Sequence, residues 1–272
     1  MAENFNLHKN LRVLLIQDIL MDIGKFTLIL AVISWLMIRG TEALHYNWQW
    51  YQIPKYIFQI KDGRLVAGPL MQGLSKTLQI SGISLFLALA FGLITAVFRL
   101  SNSFIAKGLA RLYLELTRNT PLLVQLFFIY FVLSPILDVS RFASAVLALS
   151  LFEGAYISEI FRSGMVSIHK GQWEAAYSLG LNPYRTFLHI ILPQAIRRML
   201  PPLTSQAVSL VKDSALVSTV AIYELTMHGR AIIAETYLTF EIWFTVAGLY
   251  LLATLTLSII VHKMEKRFRI EV

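Results

Sequence analysis

The chain has 272 residues, of which 56% are hydrophobic and 15% charged, and its mean hydropathy is +0.62. Soluble domains carry about 25% charged residues, so this composition belongs to a polytopic membrane protein. The net charge of +8 does not read as nucleic-acid binding, because Lys and Arg cluster in short loops between apolar runs. The absence of cysteine excludes disulfides and thiolate metal sites.

A hydrocarbon core of about 30 Å needs roughly 20 apolar residues as helix. The first apolar run, residues 26–38, is short. Residues 19–25 extend it to a span if Lys25 snorkels to the boundary. Asp18 and Asp22 precede it and no small-x-small site follows, so it does not read as a cleaved signal peptide. Residues 77–98 form an uncharged span. Residues 120–137 form the next, with Pro121 near the start and Gln125 inside. Residues 142–161 carry Glu153 and Glu159. Residues 199–222 begin with Pro201-Pro202 and are interrupted by Lys212-Asp213. Residues 242–261 are again uncharged. On the second span Ser84, Ala88, Gly92 and Ala96 recur every four residues, a smooth strip on which another helix can approach closely.

Loop charge orients these six spans. Arg99, Lys107, Arg111 and Arg118 follow the second; Arg162, Lys170, Arg185, Arg197 and Arg198 lie around residues 162–198; Lys263, Lys266, Arg267 and Arg269 are in the tail. These three regions face the cytoplasm and alternate with a poorly charged turn (Asp138, Arg141) and a loop rich in Glu224, Glu235 and Glu241. Residues 39–76 lie outside despite five Lys or Arg, since the rule weakens on longer loops. The cluster Tyr46, Trp48, Trp50 and Tyr51 suits a membrane-water interface.

Residues 162–198 are the one long inter-span segment with helical periodicity. Trp173, Ala176, Tyr177 and Gly180 form one set at spacings of three and four. Tyr184, Phe187, Leu188, Ile191 and Leu192 form another. Between them, Gly180-Leu181-Asn182-Pro183 is a stop and restart: Gly closes one helix, Asn caps the next and Pro takes its first position. Two short helices bent at Gly180 are expected, a lever able to fit a partner's groove. The small Ala175 and Ala176 permit close approach, and Glu174 offers a charged contact or a cap.

Glu174, Ala175, Ala176, Gly180, Ile190, Leu192 and Pro193 together spell E-A-A-x3-G-x9-I-x-L-P. This resembles the coupling loop of the membrane subunits of ATP-binding-cassette importers. The resemblance covers roughly residues 70–266. Residues 117–127, TRNTPLLVQLF, resemble the R-G-T-P-L-L-V-Q segment of polar amino acid importers, with Asn119 where Gly is usual. Residues 154–162, GAYISEIFR, and 212–216, KDSAL, are similar to further segments of that family, the latter with Ala215 replacing Ser.

The resemblance implies an all-α polytopic bundle of five core transmembrane helices, the type I importer fold, with a cytoplasmic coupling helix. Residues 1–69 would be an N-terminal extension with one more helix and an external loop. Residues 70–266 would be the transporter domain, with the coupling loop at 164–198, and 267–272 a cytoplasmic tail. It implies a permease subunit in a bacterial inner membrane that forms the path for a polar amino acid and performs no chemistry. Its partners would be an ATPase dimer, a second permease subunit and an external solute-binding protein. ATP and Mg would sit on the ATPase. Consistently, the chain lacks a G-x4-G-K-[ST] phosphate loop, and its His residues form no metal motif.

Ionisable groups at membrane depth mark the pathway candidates: Glu153, Glu159, Lys212 and Asp213, with Gln125 as a polar addition. Glu153 and Glu159 point about 120° apart on a helix and cannot form one acidic pair. Glu159 can reach Arg162 at i+3 as a structural ion pair. Glu153 has no local partner and is the candidate for the cavity. Lys212 and Asp213 would pair with other helices or meet a substrate charge, and Gln125 would bond a neighbouring helix. Phe152-Glu153 resembles the acidic amino acid branch, whereas a carboxylate favours a cationic solute, so only a polar amino acid is expected. A stand-alone secondary transporter or channel is the alternative function. It has no use for the E-A-A knuckle. An intramembrane enzyme would need a nucleophile-base pair or metal ligands that the spans do not contain.

Overall fold

The computed structural model describes the backbone of residues 2–43 and 46–268. The end of the tail, residues 269–272, lies outside the described residues. The chain divides into two compact units, Met1–Gln49 and Trp50–Val272. The first is a single helix, α1 (Ala2–Ala43), whose apolar stretch Leu20–Gly40 is long enough to span a membrane. Lys25, in the second turn of that stretch, pairs with Asp22 at 3.0 Å.

The second unit opens with a 3-10 turn at Trp50–Gln52, a short helix, α2 (Pro54–Ile57), and a hairpin of β1 (Phe58–Lys61) and β2 (Arg64–Ala67). The hairpin was not anticipated in the outer segment. Its signal is Asp62-Gly63 between the strands: both residues have positive φ, 52° and 71°, as a two-residue turn matching strand twist requires. All other elements are helical. They are α3 (Pro69–Leu100), α4 (Phe104–Arg118), α5 (Leu122–Phe127), a π-helical turn at Phe128–Leu133, α6 (Ser134–Leu137) and α7 (Arg141–Val166). Then follow α8 (Lys170–Ser178), α9 (Pro183–Thr186), a second π turn at Phe187–Ile191, α10 (Leu192–Asp213), a 3-10 segment at Ser214–Val220, α11 (Leu225–Thr236) and α12 (Thr239–Phe268).

Among the described residues four helices are long and apolar enough to cross a membrane; α4 and α5–α6 together are apolar enough to count as a fifth, but they meet at a bend of 106°. The bend sits at Asn119-Thr120-Pro121, where Pro121 is extended at ψ 141°. The span read at residues 199–222 differs from expectation. It starts earlier, at Leu192, runs unbroken through Pro201 and Pro202, and ends as a 3-10 segment. At 22 residues it is about 33 Å long. Its polar stripe, which includes Thr204, Ser205, Gln206, Ser209, Lys212 and Asp213, keeps it from reading as a lipid-facing span. Such a helix is stable in a bilayer when its polar face meets protein or a water-filled cavity.

α3 and α7 pack in parallel on the small-residue strip. Ser84, Ala88, Gly92 and Ala96 are all buried. A Cβ on Gly92 would lie 2.5 Å from Ile157 Cγ2, and one on Gly154 2.9 Å from Phe91 Cβ. Ser84 donates to the Val146 carbonyl at 3.4 Å, and Ser150 to the Ser84 carbonyl at 3.2 Å. Lipid is as apolar as leucine, so close packing and these hydrogen bonds, rather than expulsion of water, hold the helices together. Around this seam Ile80, Leu126, Leu149, Leu210 and Val217 form the central core.

Candidate functional site

Two regions hold the candidate residues: the knuckle between α7 and α10, and a polar cluster inside the bundle.

The knuckle is built from local rules. His169 caps α8 by accepting from the Gly171 N–H at 3.0 Å. The helix closes in a Schellman motif: Gly180 N–H donates to the Tyr177 carbonyl at 2.9 Å and Leu181 N–H to the Ala176 carbonyl at 3.1 Å. Gly180 takes φ +76°, where any Cβ is strained. Asn182 then caps α9, accepting from Arg185 N–H at 2.8 Å, with Pro183 at the first helical position. α9 is not the separate short helix that the spacing predicts. It runs on through the π turn into α10. Pro193 has no N–H to donate, and the widened turn before it closes with Leu192 N–H on the Phe187 carbonyl.

The knuckle is rooted firmly. Ile168, Ile191, Ala195 and Met199 form a separate core with Phe161, Met165, Trp173 and Ile190 around it. Met199 Cγ fills the space a Cβ on Gly164 would take, at 2.3 Å. Arg198 donates to the Ser167 carbonyl at 2.5 Å, and Gln194 to the Gln172 side-chain oxygen at 3.1 Å. α8 is thereby tied to the ends of both α7 and α10.

The motif residues divide between two roles. Glu174, Ala175, Gly180 and Pro193 are exposed, Ile190 and Leu192 are half-buried, and Ala176 is buried within the chain itself. Ala176 thus packs inside the chain rather than lying on the open face beside Ala175. Its small side chain lets α8 sit on its own root. The outward face is apolar: Leu179 is 82% and Tyr184 71% exposed, with Tyr177, Phe187 and Leu188 beside them.

In the bundle, Glu153 lies mid-helix on α7 and is fully buried. Its Oε2 accepts from Gln206 Nε2 of α10. Its Oε1 has no hydrogen-bond partner among the described residues. Asp213, at the end of α10, brings a second carboxyl close enough to act on it electrostatically, and Lys212 acts on Asp213 in turn. Thr204, Ser205, Ser209 and Lys212 of α10 line, with Ser258 of α12, an open cavity of about 390 Å3.

The other candidates go elsewhere. Glu159 bridges two arginines, Arg162 on its own helix and Arg99 at the end of α3, so it ties α7 to α3. Arg99 had not been foreseen as a partner. Gln125 donates to the Thr117 carbonyl at 2.7 Å, and to the Thr120 carbonyl and hydroxyl at 3.0 and 2.9 Å, latching the corner between α4 and α5.

Sequence reasoning missed Gln206, whose amide was one polar residue among many, and the buried cluster around Glu224. Glu224 caps α11, accepting from Met227 N–H at 2.9 Å, Thr226 N–H at 2.9 Å, Tyr250 OH at 2.7 Å and Thr77 Oγ1 at 3.3 Å. Burial pushes its carboxyl above the usual carboxylate range, and these donors only partly offset the shift. Loop charge alone marks it only as one glutamate of an outward-facing loop. No cluster of three metal-ligating side chains exists among the described residues.

Comparison with known proteins matches residues 88–270 to the family described as "Binding-protein-dependent transport system inner membrane component". The glutamine transport system permease protein GlnP of Escherichia coli (strain K12) is 41% identical over 204 residues, covering 74% of this chain and 93% of that relative. The L-cystine transport system permease protein TcyB of Bacillus subtilis (strain 168) is 37% identical over 201 residues, covering 73% and 86%. Among solved structures, a crystal structure of an amino acid ABC transporter with histidines superposes with a TM-score of 0.69 at 34% identity, covering 73% of this chain and 94% of that one. An inward-facing methionine ABC transporter, MetNI, shares the fold at a TM-score of 0.64 and 19% identity, covering 74% and 97%. With its knuckle, its bundle and these relatives, the chain belongs to the binding-protein-dependent inner membrane components: it is a multi-pass permease subunit of an ABC importer, working with ATPase and binding-protein partners rather than as an enzyme.

Proposed function

We propose that this permease admits a polar amino acid across a bacterial inner membrane, and that the knuckle from α8 to the π turn is the contact with an ATPase dimer. A second permease subunit, identical or related, completes the path. The observation that carries the coupling role is the Schellman-capped turn at Gly180, which exposes Leu179, Tyr177 and Tyr184 while Ile191 and Met199 anchor its root. A lever transmits force only when it is stiff at the root and free at the tip. ATP binding by the partner would shift the balance between inward-open and outward-open bundles through its greater affinity for one of them.

The substrate class follows from the relatives' transport of glutamine and L-cystine, together with Glu153 and Asp213. Every α-amino acid carries an ammonium, so carboxyls in the path are compatible with neutral, acidic or basic side chains. Glu153 holds its geometry through Gln206 and keeps one oxygen without a protein donor. Lys212, on the wall of the cavity, would attract the carboxylate end. Glu159 and Gln125 are structural in this reading.

The test is uptake by the complete importer in proteoliposomes, with ATP enclosed and the binding protein outside, using labelled glutamine, cystine, histidine and glutamate. Accumulation of at least one that needs both ATP and the binding protein supports the proposal. Accumulation of none of them, with a sugar or metal ion taken up instead, sinks the substrate class. Uptake without ATP sinks the coupling role.

A further inference from the structure

A cavity of about 580 Å3 opens beside the Arg99–Glu159–Arg162 bridge, at the cytoplasmic ends of α3 and α7. Arg99, Lys107, Arg111, Arg118 and Arg162 line it against a single lining carboxylate, Glu115. Much of this charge is uncompensated. Glu159 engages Arg99 and Arg162, Arg118 lies over the Tyr156 ring at 5.7 Å, and Glu115 accepts from Asn119 at 2.7 Å. Among the described residues Lys107 and Arg111 have no ion-pair partner. They stand one helical turn apart on the same face of α4.

α4 itself has three faces. Ala110, Leu114 and Thr117 are buried against the bundle. Lys107, Arg111 and Arg118 face the cavity. Ile105, Leu109, Leu112 and Leu116 recur at spacings of four, three and four and are 55% to 73% exposed. The helix turns by 106° into the span that follows. A helix nearly perpendicular to a span, with an apolar stripe and a basic face, lies in the membrane interface, its stripe among acyl chains. The positive-inside bias puts that interface on the cytoplasmic leaflet.

We propose that this cavity binds the phosphate of an anionic phospholipid headgroup from the cytoplasmic leaflet, with Lys107 and Arg111 as its principal ligands and Arg118 closing the site. The required chemistry is a phosphate-bearing anion. The neighbouring apolar stripe selects a lipid as its source over free phosphate, because acyl chains cover Ile105, Leu109, Leu112 and Leu116 as the headgroup enters. The site would pin α4 to the membrane surface while the knuckle moves. The inference does not depend on which solute is carried.

The test uses the assembled importer in nanodiscs of phosphatidylcholine mixed with phosphatidylglycerol. Lipid retained by the complex is read by native mass spectrometry. Wild type should retain phosphatidylglycerol over phosphatidylcholine. A K107Q/R111Q variant should lose that preference roughly tenfold or more, since each basic side chain at the surface contributes about fivefold. The charge-retaining K107R/R111K pair should keep it, as should K263Q, which removes a cytoplasmic charge elsewhere. Equal retention by wild type and K107Q/R111Q overturns the proposal. Absence of any preference in wild type does the same, even if the double variant fails to assemble. Inorganic phosphate serves as the second probe in pure phosphatidylcholine discs. Saturable phosphate binding that phosphatidylglycerol does not compete away would assign the site to a soluble anion and overturn the lipid assignment.

Discussion

Glu153 on α7 and Gln206 on α10 are joined by a hydrogen bond inside the bundle, fifty-three residues apart in the chain. The bond couples the helix that leads into the knuckle to the helix that leads out of it. In the proposed function, this places one acidic side chain between the solute path and the root of the knuckle.

Glu153→Gln keeps the size and hydrogen-bonding capacity of the side chain and removes its charge. Uptake by the reconstituted importer should fall tenfold or more, while assembly with the ATPase persists. Gln206→Ala leaves Glu153 without its donor. Stability should fall by about 1–3 kcal/mol, the usual effect of an unsatisfied buried group, read as a lower melting temperature in detergent. Full uptake in Glu153→Gln would remove this residue from the pathway.

Gly180→Val places a branched residue at φ +76°. The left-handed region disfavours non-glycine residues by about 1–2 kcal/mol, which lowers the population of the bent knuckle by roughly five- to thirtyfold. Insertion should be normal, basal ATP hydrolysis by the partner should continue, and uptake per ATP should drop. Gly180→Asn should be milder, because Asn tolerates this region better. Wild-type uptake in Gly180→Val, or in the bulkier Gly180→Trp, would show that the turn is not needed for coupling.

Gly92→Val tests the α3–α7 seam. Its Cβ would meet Ile157 Cγ2 at 2.5 Å, whereas a Cβ on Gly82 meets nothing within 4 Å. Overpacking of this kind destabilises by about 1–3 kcal/mol. Gly92→Val should therefore lower the melting temperature clearly, and Gly82→Ala should leave it almost unchanged. Equal melting temperatures for the two variants would mean that the seam yields.

Glu224 gives the fold a pH dependence. Burial raises its folded-state value above that of the unfolded chain, so the folded form holds a proton the unfolded form has released. Its contribution is fully present below the unfolded value of about 4.3 and is lost as pH rises through the folded value. Wild type should lose melting temperature as pH rises across that window. Glu224→Gln should show a shallower slope there. Identical slopes would assign the dependence to another group.

Glu159→Gln separates structure from transport. It takes the counter-charge from both Arg99 and Arg162, so thermal stability should fall while the order of preferred solutes stays the same. A changed order in competition uptake would return Glu159 to the pathway.

The sequence by itself determined the features that follow from composition and short-range geometry. Apolar runs of helical length marked the spans, since a bilayer accepts only segments that satisfy their own backbone. Gly180, Asn182 and Pro183 announced the knuckle, because caps and φ restrictions act within a few residues. The strip Ser84, Ala88, Gly92 and Ala96 marked a close helix approach on one face. Tertiary structure decided what these features met. It turned Ala176 inward, carried the second half of the knuckle into α10, and gave Glu159 a second arginine from α3. It also buried Glu224 and set Gln206 against Glu153. All but the run into α10 depend on a partner more than thirty residues away or on a rotation about a helix axis, and a linear pattern encodes neither. Periodicity tells which residues share a face; only the packed bundle tells whether that face meets lipid, water, another helix or a charge.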